Sequence, residues 1–279
     1  MSEKIVVGVT DAPVSRRVVE WAAQRAVDRR QDLVLLSVVG GAVGAVGEGE
    51  VVNAALEDAR EIAEGFAGPL EERGIVVETR VERGNPVAAL LEASESAALL
   101  VIGSDYRGPG TGKERGAHGI RVASAAHCPV AVVPDIDIDG RVGVVVGVDG
   151  SPISSRAVDF AAAEADRLRE PLIPVSVWTP LHAPRNMGIY PDQYLSNMQA
   201  ITEQTLGLAI AGLRQDYPDL EIRPRVERGY PSAVINDIAE TARMTVMGSR
   251  GRGPVARFLL GSISTEVLQR LATVTVIAR

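Results

Sequence analysis

The sequence predicts an α/β fold made of two tandem, doubly wound domains, each built on a five-stranded parallel sheet. Three observations lead to this prediction. Apolar residues make up 46% of the 279 residues and aromatic residues only 4%, so the cores should be aliphatic. Short valine-rich runs alternate with longer segments of helical period, which is typical of parallel sheets covered by helices on both faces. The chain also repeats itself once.

The internal repeat sets the domain organisation. Gly8, in the first valine-rich run, returns as Gly147, and the run around Gly84 returns around Gly229. The offset between the copies therefore grows from 139 residues at Gly8 to 145 at Gly84, which places six extra residues between the second and third strands of the second copy. The predicted first domain is residues 1–134, the acidic segment 135–140 is the predicted linker, and the predicted second domain is residues 141–279.

Each copy alternates strands and helices in the same order. The predicted strands of the first copy are residues 4–9, 33–39, 75–81, 98–102 and 129–133. Its first two helices are predicted over 15–29, with Val18, Val19, Ala22 and Ala26 on one side, and over 51–73, ended by Gly74. Pro86 opens a short helix at a first-turn position, and the glycine-rich segment 40–49 is a predicted loop. The predicted strands of the second copy are residues 141–148, 171–178, 221–226, 244–247 and 274–278, and residues 262–271 are predicted as its last helix.

The charge and cysteine content narrow the classes of function. A net charge of −7 argues against binding to nucleic acid, which usually leaves a basic footprint. Cys128 is the single cysteine, so no internal disulfide is possible and a reducing compartment fits. The first residues lack a signal-peptide layout, and no apolar run approaches the length that spans a bilayer. We therefore expect a cytoplasmic protein without a membrane or nucleic-acid partner.

A glycine-rich loop in the second copy is the main candidate for a functional site. Two residues separate Gly248 from Gly251, nine separate Gly251 from Gly261, and Ser262 follows at once. A strand, a glycine-rich loop and a helix start form a phosphate cradle, in which free N–H groups and the hydroxyls of Ser262 and Ser264 can hold anionic oxygens. The loop lacks the Gly-Lys-Ser/Thr ending of a Walker A motif, and it comes too late in its domain for a dinucleotide fingerprint.

Asp149 is the second candidate, at the end of the first strand of the second copy. It stands in the run Val148-Asp149-Gly150-Ser151. A carboxylate at this point can accept hydrogen bonds from a ribose or from a base edge. Asp-Gly is also a strong turn pair, so Asp149 could instead turn the chain before the helix near Ser154. The spacing alone leaves both interpretations open.

In the second copy, the first strand is followed by Asp-Gly-Ser, and a later strand is followed by Gly-x2-Gly-x9-Gly-Ser. This order of motifs resembles the universal stress protein family, in its tandem two-domain form, over nearly the whole chain. The resemblance implies Rossmann-like domains of the adenine nucleotide α-hydrolase type, and ATP, alone or with Mg²⁺, as the ligand. It assigns Val177 to the adenine. Arg252 and Arg257 are phosphate partners by charge, or solvated loop arginines. The implied ATP-binding residues are Val148, Asp149, Val177, Met247, Gly248, Gly251, Arg252, Gly253, Gly261, Ser262, Ile263 and Ser264.

The first copy departs from this pattern. Thr10, Tyr106, Ala117 and Gly119 stand where the second copy has Asp149, Gly251, Ser262 and Ser264. These differences remove a carboxylate and two hydroxyls, and they put a bulky ring where the backbone must approach a ligand closely. Asp11 follows one position later and should point to the other face of the sheet. The second domain should therefore hold most of the nucleotide, while Arg107, Lys113 and Arg115 keep the first loop basic.

The sequence predicts a nucleotide-binding regulator with a stress-response role rather than an enzyme. No lysine is placed to reach a γ-phosphate as in a Walker loop, and no clear set of acids for Mg²⁺ and a water accompanies the glycine loop, so no catalytic or metal residues are assigned. The alternatives are a slow ATPase or phosphotransferase, and a protein-binding scaffold that needs no nucleotide. The scattered residues His118, His127 and His182 form no catalytic pattern, Cys128 is expected to be buried, and Trp178 is expected to pack rather than to border the adenine.

The expected partners follow from the resemblance and from the final strands. Residues 129–133 and 274–278 are short aliphatic strands, and an uncovered edge strand would be a liability. The resemblance implies that the two domains pair through these strands as an intramolecular pseudo-dimer, and it allows a homodimer of the whole chain. A regulatory protein partner is expected, but the sequence does not identify it.

Overall fold

The computed structural model describes residues 3–40, 48–104, 117–181, 192–251 and 259–279. The chain forms two compact units, Met1–Ile136 and Asp137–Arg279. Each unit is an α/β domain whose strands pair in parallel, which confirms the predicted fold class. The bounds of the predicted linker, residues 135–140, stay a prediction.

The first unit centres its sheet on its first strand. Its elements are β1 (Lys4–Gly8), α1 (Val14–Arg29), β2 (Asp32–Val39), α2 (Glu48–Glu72), β3 (Val77–Arg83), α3 (Pro86–Ala93), β4 (Leu99–Ser104), α4 (Ala117–Ala125) and β5 (Val130–Pro134). β1 lies between β2 and β4, with β3 beyond β2 and β5 beyond β4. The chain therefore builds outward first on one side of β1 and then on the other. This reversal creates a crevice at the carboxyl ends of β1 and β4.

The second unit repeats the plan. Its elements are β6 (Val144–Gly147), α5 (Pro152–Leu168), β7 (Leu172–Trp178), α6 (Asp192–Ile210), α7 (Leu213–Asp216), β8 (Arg225–Arg228), α8 (Pro231–Ala239), β9 (Met244–Gly248), α9 (Ser262–Arg270) and β10 (Val274–Ala278). The strand order is β8-β7-β6-β9-β10, again all parallel. The equivalent crevice lies at the carboxyl ends of β6 and β9.

Strand registers reproduce the offsets read from the sequence. Leu33 pairs with Ile5 in β1, and its equivalent Leu172 pairs with Val144 in β6. On its other side, Leu33 pairs with Val77, whereas Leu172 forms an isolated bridge with Ile222. The offset is therefore 139 at Leu33 and 145 at Val77, so the six extra residues lie between β7 and β8, as predicted.

The cores are aliphatic, as the composition predicts. The strands contribute the largest fully buried side chains, among them Ile5, Leu33, Leu99, Leu172 and Ile277. The predicted inner side of α1 is confirmed, because Val18, Val19, Ala22 and Ala26 are all buried. Cys128 is buried as well.

The strands predicted over residues 75–81 and 141–148 are observed as Val77–Arg83 and Val144–Gly147. Two other predicted boundaries were wrong for identifiable reasons. The strand predicted over residues 221–226 begins only at Arg225, where β8 starts. Pro224 has no N–H to donate to a neighbouring strand, so the ladder cannot run continuously through it. In the first unit, α2 begins at Glu48, inside the segment that was predicted to be a loop as far as Gly49. Glu50 in its first turn favours a helix start, because a carboxylate complements the positive end of a helix.

The described part of the chain contains no helix that is both long and apolar enough to cross a membrane.

Candidate functional site

A cavity of 310 Å³ opens at the carboxyl ends of β6, β7 and β9 in the second unit. Ten of the twelve predicted ATP-binding residues line it: Val148, Asp149, Val177, Met247, Gly248, Gly251, Gly261, Ser262, Ile263 and Ser264. The remaining two, Arg252 and Gly253, lie outside the described residues, as does Arg257. Residues far apart in the sequence therefore meet at the crevice that the strand order creates.

Asp149 has a separate contact for each carboxylate oxygen. Its Oδ1 accepts a hydrogen bond of 2.9 Å from the backbone N–H of Ser151. Gly150 follows with φ +77°, a conformation that favours glycine, and Ser151 then caps α5 through the N–H of Ser154. Asp149 Oδ2 points at Gly251, lying 2.5 Å from the position that a Cβ there would take. The two interpretations left open by the sequence are therefore compatible, since one oxygen holds the turn and the other borders the cavity.

Gly248 and Gly251 lie where the loop has no room for a Cβ, and Gly261 lies where the loop backbone approaches itself. A Cβ on Gly248 would come within 2.9 Å of Ile153 Cγ2. Gly261 donates its N–H to the carbonyl of Ser249 over 2.9 Å, and a Cβ on it would lie 3.4 Å from the Cα of Arg250. The loop thus closes on itself at Gly261, immediately before α9 begins.

The amino-terminal end of α9 faces the cavity without a side-chain cap. Its N-cap residue is Gly261, which has no side chain to satisfy the first N–H groups. By contrast, α5 begins next to the same cavity under the Ser151 cap. Uncapped N–H groups at the positive end of a helix attract anions. Ser262, Ile263 and Ser264 supply these groups and all three line the cavity.

Ser264 does not offer the hydroxyl hydrogen that the sequence analysis expected. Its Oγ is buried and donates a hydrogen bond of 2.7 Å to the carbonyl of Gly248. A hydroxyl has a single hydrogen to donate, so Ser264 can reach an anion only through its backbone N–H. The hydroxyl instead ties the first turn of α9 to the end of β9. Ser262 is exposed and its hydroxyl stays available.

The opposite wall of the cavity is apolar. Val148, Val175 and Met247 are buried at the strand ends, with Val177 beside them. A Cβ on Gly147 would lie 2.8 Å from the sulfur of Met247, so only glycine lets that side chain pack there. An apolar wall facing a row of free N–H groups suits a ligand with a flat apolar part and an anionic part.

Sequence reasoning missed six residues that line the cavity: Gly147, Ser154, Val175, Pro231, Ile235 and Arg250. Arg250 is the most consequential for charge. It stands between the two loop glycines, and no other described residue forms an ion pair or a hydrogen bond with its side chain. Its place inside the Gly-x2-Gly spacing was a usable signal. Pro231 and Ile235 come from α8, and nothing in their local sequence indicated the cavity.

Glu266 joins the two helices that flank this cavity. Its carboxylate accepts hydrogen bonds from Tyr230 Oη at 3.0 Å and from Ser232 Oγ at 2.6 Å. The hydrogen bond to Glu266 raises the pKa of the Tyr230 phenol above its usual value. Glu266 therefore holds the start of α8 against α9, which fixes the width of the cavity between them.

Trp178 does not line the cavity, in agreement with the packing interpretation. Its indole N–H donates to Gln199 on α6 over 2.7 Å. The guanidinium of Arg228 lies 5.7 Å from the ring centroid, within the range of a cation–π contact. The tryptophan thus fastens α6 to the outer strands of the sheet.

The first unit keeps the turn but not the carboxylate. Thr10 Oγ1 accepts from the N–H of Ala12 at 3.2 Å, and the Thr10 N–H donates to Ser15 Oγ at 3.0 Å. Thr10 therefore reproduces the turn that Asp149 makes, without its negative charge. Tyr106, Arg107, Lys113 and Arg115 lie outside the described residues, and so does His182.

Both halves of this chain match a known protein family. The profile of the universal stress protein family matches residues 1–134 and 143–279. A universal stress protein of Mycolicibacterium smegmatis is 30% identical over 289 residues, covering 99% of this chain and 96% of the relative. One from Mycobacterium bovis is 31% identical over 306 residues, covering 99% and 94%.

Solved structures show the same fold. The crystal structure of a universal stress protein from Archaeoglobus fulgidus has a TM-score of 0.73 at 21% identity and covers 100% of this chain and 99% of its own. That of a functionally unknown protein from Pseudomonas aeruginosa has a TM-score of 0.68 at 18% identity, covering 99% and 92%.

Proposed function

The chain belongs to the universal stress protein family, and from that premise we propose that its second unit binds ATP and that the bound nucleotide serves a regulatory role in a stress response. One observation carries the proposal. Gly251 leaves an opening directly against Asp149 Oδ2, between an apolar wall and the uncapped start of α9. A nucleoside phosphate needs these three surfaces together.

Each part of the nucleotide has a matching part of the cavity. The adenine would lie against Val148, Val177 and Met247, which present apolar surface. The turn uses only Oδ1 of Asp149, so Oδ2 can accept hydrogen bonds from ribose hydroxyls. These contacts make the strand ends the nucleoside half of the proposed site.

The phosphates would meet the loop and the helix start. The N–H groups of Ser262 and Ile263 and the Ser262 hydroxyl supply donors there. Arg250 adds a positive charge, and charge-assisted hydrogen bonds from a guanidinium are among the strong ones. Arg252 and Gly253 complete the proposed set from the segment outside the described residues.

A role for Mg²⁺ would depend on the phosphates. No group of three or more His, Cys, Asp or Glu side chains in the described ranges is arranged to hold a metal ion. Asp149 is the carboxylate that lines the cavity among those residues. We therefore propose that any magnesium arrives with the ATP rather than at a site of its own.

We favour binding over catalysis because the cavity offers recognition without an evident way to activate a water. The described lining has a single carboxylate, and one of its oxygens is engaged by the Ser151 N–H. A slow ATPase or phosphotransferase is the alternative, and turnover above background that disappears in Asp149→Ala would favour it. A nucleotide-independent scaffold is the other alternative, and failure to bind any nucleotide would favour that.

The remaining proposals concern organisation. We propose that the first unit contributes little nucleotide affinity, because Thr10 replaces the carboxylate. From the family resemblance and the sequence we also propose that the two domains pair through their final strands. On the same grounds we propose a homodimer, a regulatory protein partner and a cytoplasmic location.

Mass spectrometry of the ligand that the protein retains after native purification tests the proposal. Retained ATP, or ADP from its breakdown, would support a nucleotide site. A protein that retains nothing and also fails to bind added ATP would contradict it.

A further inference from the structure

Three side chains join the starts of α8 and α9 beside the proposed nucleotide cavity. Glu266, on the second turn of α9, accepts a hydrogen bond of 2.6 Å from Ser232 Oγ and one of 3.0 Å from Tyr230 Oη. Ser232 is only 6% exposed, so its hydroxyl has little access to water as a replacement partner. A carboxylate that accepts from a buried hydroxyl makes one of the stronger hydrogen bonds in a protein. We call these three residues the Glu266 cluster.

The neighbours of the cluster on both helices line the cavity. Pro231 and Ile235 line it from α8, on either side of Ser232 in the sequence. Ser262 lines it from α9, four residues before Glu266 and therefore on the same side of that helix. The cluster itself is not part of the described lining. It therefore sets the separation of two walls of the cavity without contacting a ligand.

The first unit differs at all three positions of the cluster. At the offset of 145 residues, Tyr230, Ser232 and Glu266 are replaced by Asn85, Val87 and Arg121. Valine has no hydroxyl, and an arginine side chain accepts no hydrogen bond. Asn85 instead caps its own helix, since its Oδ1 accepts from the N–H groups of Val87 and Ala88. The cluster therefore belongs to the unit that keeps the glycine motif.

The backbone at the two helix starts is nearly the same, so the difference lies in the side chains. Asn85 has φ −83° and ψ 118°, and Tyr230 has φ −90° and ψ 121°. Tyr230 is the N-cap residue of α8, yet its side chain makes no capping hydrogen bond and instead reaches Glu266 on α9. The second unit thus replaces the local cap of α3 with a bond between two helices.

We propose that Glu266 is a positioning residue for the nucleotide site, because it holds Pro231 and Ile235 on α8 at a fixed distance from the start of α9. This role rests on the proposed binding of ATP by the second unit. Glu266 follows Ser262, whose N–H is a proposed phosphate donor, by about 6 Å along the axis of α9. Its charge alone would repel the phosphates. The charge and the hydrogen bonds of Glu266 therefore have opposite effects on ATP binding.

Two substitutions of Glu266 separate these effects in calorimetric titrations with ATP. Glu266→Ala and Glu266→Gln lose the same charge, but only alanine loses the bonds to α8. A glutamine keeps an oxygen that can accept from Ser232 and an amide N–H that can donate to Tyr230 Oη. Glu266→Ala should therefore bind ATP about tenfold more weakly than the unchanged chain, and Glu266→Gln should bind it at least as tightly as the unchanged chain.

The matched control is Glu240→Ala at the far end of α8. Glu240 accepts a hydrogen bond of 2.7 Å from Arg270 on α9, so this variant loses the same charge and also loosens the contact between the two helices. It should leave ATP affinity unchanged, because the contact lies away from the cavity. An equal fall in affinity for Glu240→Ala and Glu266→Ala would show a general loosening of α8 and overturn the role assigned to Glu266.

Adding Tyr230→Asn separates positioning from helix stability. Because the backbone angles match, an asparagine here can cap α8 as Asn85 caps α3. The double variant Glu266→Ala/Tyr230→Asn should recover the melting temperature that Glu266→Ala loses, while ATP still binds about tenfold more weakly than in the unchanged chain. A return of ATP affinity together with the melting temperature would make Glu266 a structural residue alone and overturn the inference.

The unchanged chain separates failure of the inference from failure of the proposed function. If it binds ATP and the alanine and glutamine variants of Glu266 bind ATP with equal affinity, the inference fails and the proposed function stands. If the unchanged chain binds no ATP, the proposed function fails and the positioning role fails with it.

Discussion

Replacing Gly251 with glutamate tests the proposed nucleotide site at its narrowest point. A Cβ at this position would lie 2.5 Å from Asp149 Oδ2, roughly 1 Å closer than an ordinary van der Waals contact. The Asp149 side chain cannot simply turn away, because its Oδ1 accepts the N–H of Ser151 at 2.9 Å. Losing that hydrogen bond would cost about 1 kcal/mol.

The added charge increases the effect on ATP. A second carboxylate about 4 Å from Asp149 and from the phosphates would add about 1 kcal/mol of repulsion for each pair, even with the dielectric constant of water. The repulsion from the phosphates lowers ATP affinity about fivefold for each phosphate charge at that distance, and the new side chain also fills the opening beside Asp149. The two terms that involve Asp149 act in the free protein as well, so they lower its stability by about 2 kcal/mol. The fold should survive, because the residue lies in a loop outside the strands and helices.

Isothermal titration with ATP, together with thermal unfolding of each sample, measures this effect. The matched control is Gly207→Glu in α6 of the same unit, where a Cβ would meet no atom within 4 Å. It adds the same charge to the same domain and should leave ATP affinity unchanged. A folded Gly251→Glu protein with unchanged affinity would refute the assigned role. Loss of binding only through unfolding would refute the expectation that the loop tolerates the change.

Three further predictions follow from the contacts. Asp149→Asn keeps an oxygen for the turn but loses the charge, so the melting temperature should not change and ATP should bind about tenfold more weakly in the same titration. If the variant instead lost as much free energy of unfolding as of ATP binding, Asp149 would have only the turn role. Ser264→Ala removes the hydroxyl that donates to the Gly248 carbonyl, so it should lower the free energy of unfolding by about 1–3 kcal/mol in denaturant titrations. An unchanged free energy of unfolding would show that this hydrogen bond does not stabilise the contact between α9 and β9. The hydrogen bond from Lys4, and to a lesser extent that from Arg80, holds the pKa of Glu78 below its ordinary value of 4.5. Its contribution to stability is therefore present above pH 4.5 and is lost as the pH falls through the lowered pKa. The stability difference between the unchanged chain and Glu78→Gln should therefore shrink on acidification below about pH 4.5, and a difference that grows there would contradict this sign.

The local geometry of the site was predictable where one residue type alone can satisfy the backbone. Glycines at the Gly-x2-Gly-x9-Gly spacing marked the points where the loop approaches Asp149 and itself, and the structure leaves no room for a Cβ at Gly251 or Gly248. The repeat also predicted the same doubly wound sheet in both units, because two copies of one alternating pattern imply the same fold. These features depend on short-range chemistry or on periodicity, and both can be read from a sequence.

The rest of the site depends on packing between distant segments. Pro231 and Ile235 reach the cavity because α8 lies across β6 and β7, which no local pattern indicates. The direction of the Ser264 hydroxyl was predicted wrongly, because a nearby carbonyl at Gly248 competes for its hydrogen. The strand predicted from residue 221 starts only at Arg225, because Pro224 inside the predicted range has no N–H to donate to a neighbouring strand.

Native mass spectrometry of the intact chain titrated with ATP tests the central claim most directly. The structure and the departures at Thr10 predict one ATP per chain, held by the second unit. That single adduct should disappear in Gly251→Glu and persist in Gly207→Glu. A chain that binds no ATP, or one that binds two ATP molecules with equal affinity, would contradict the account.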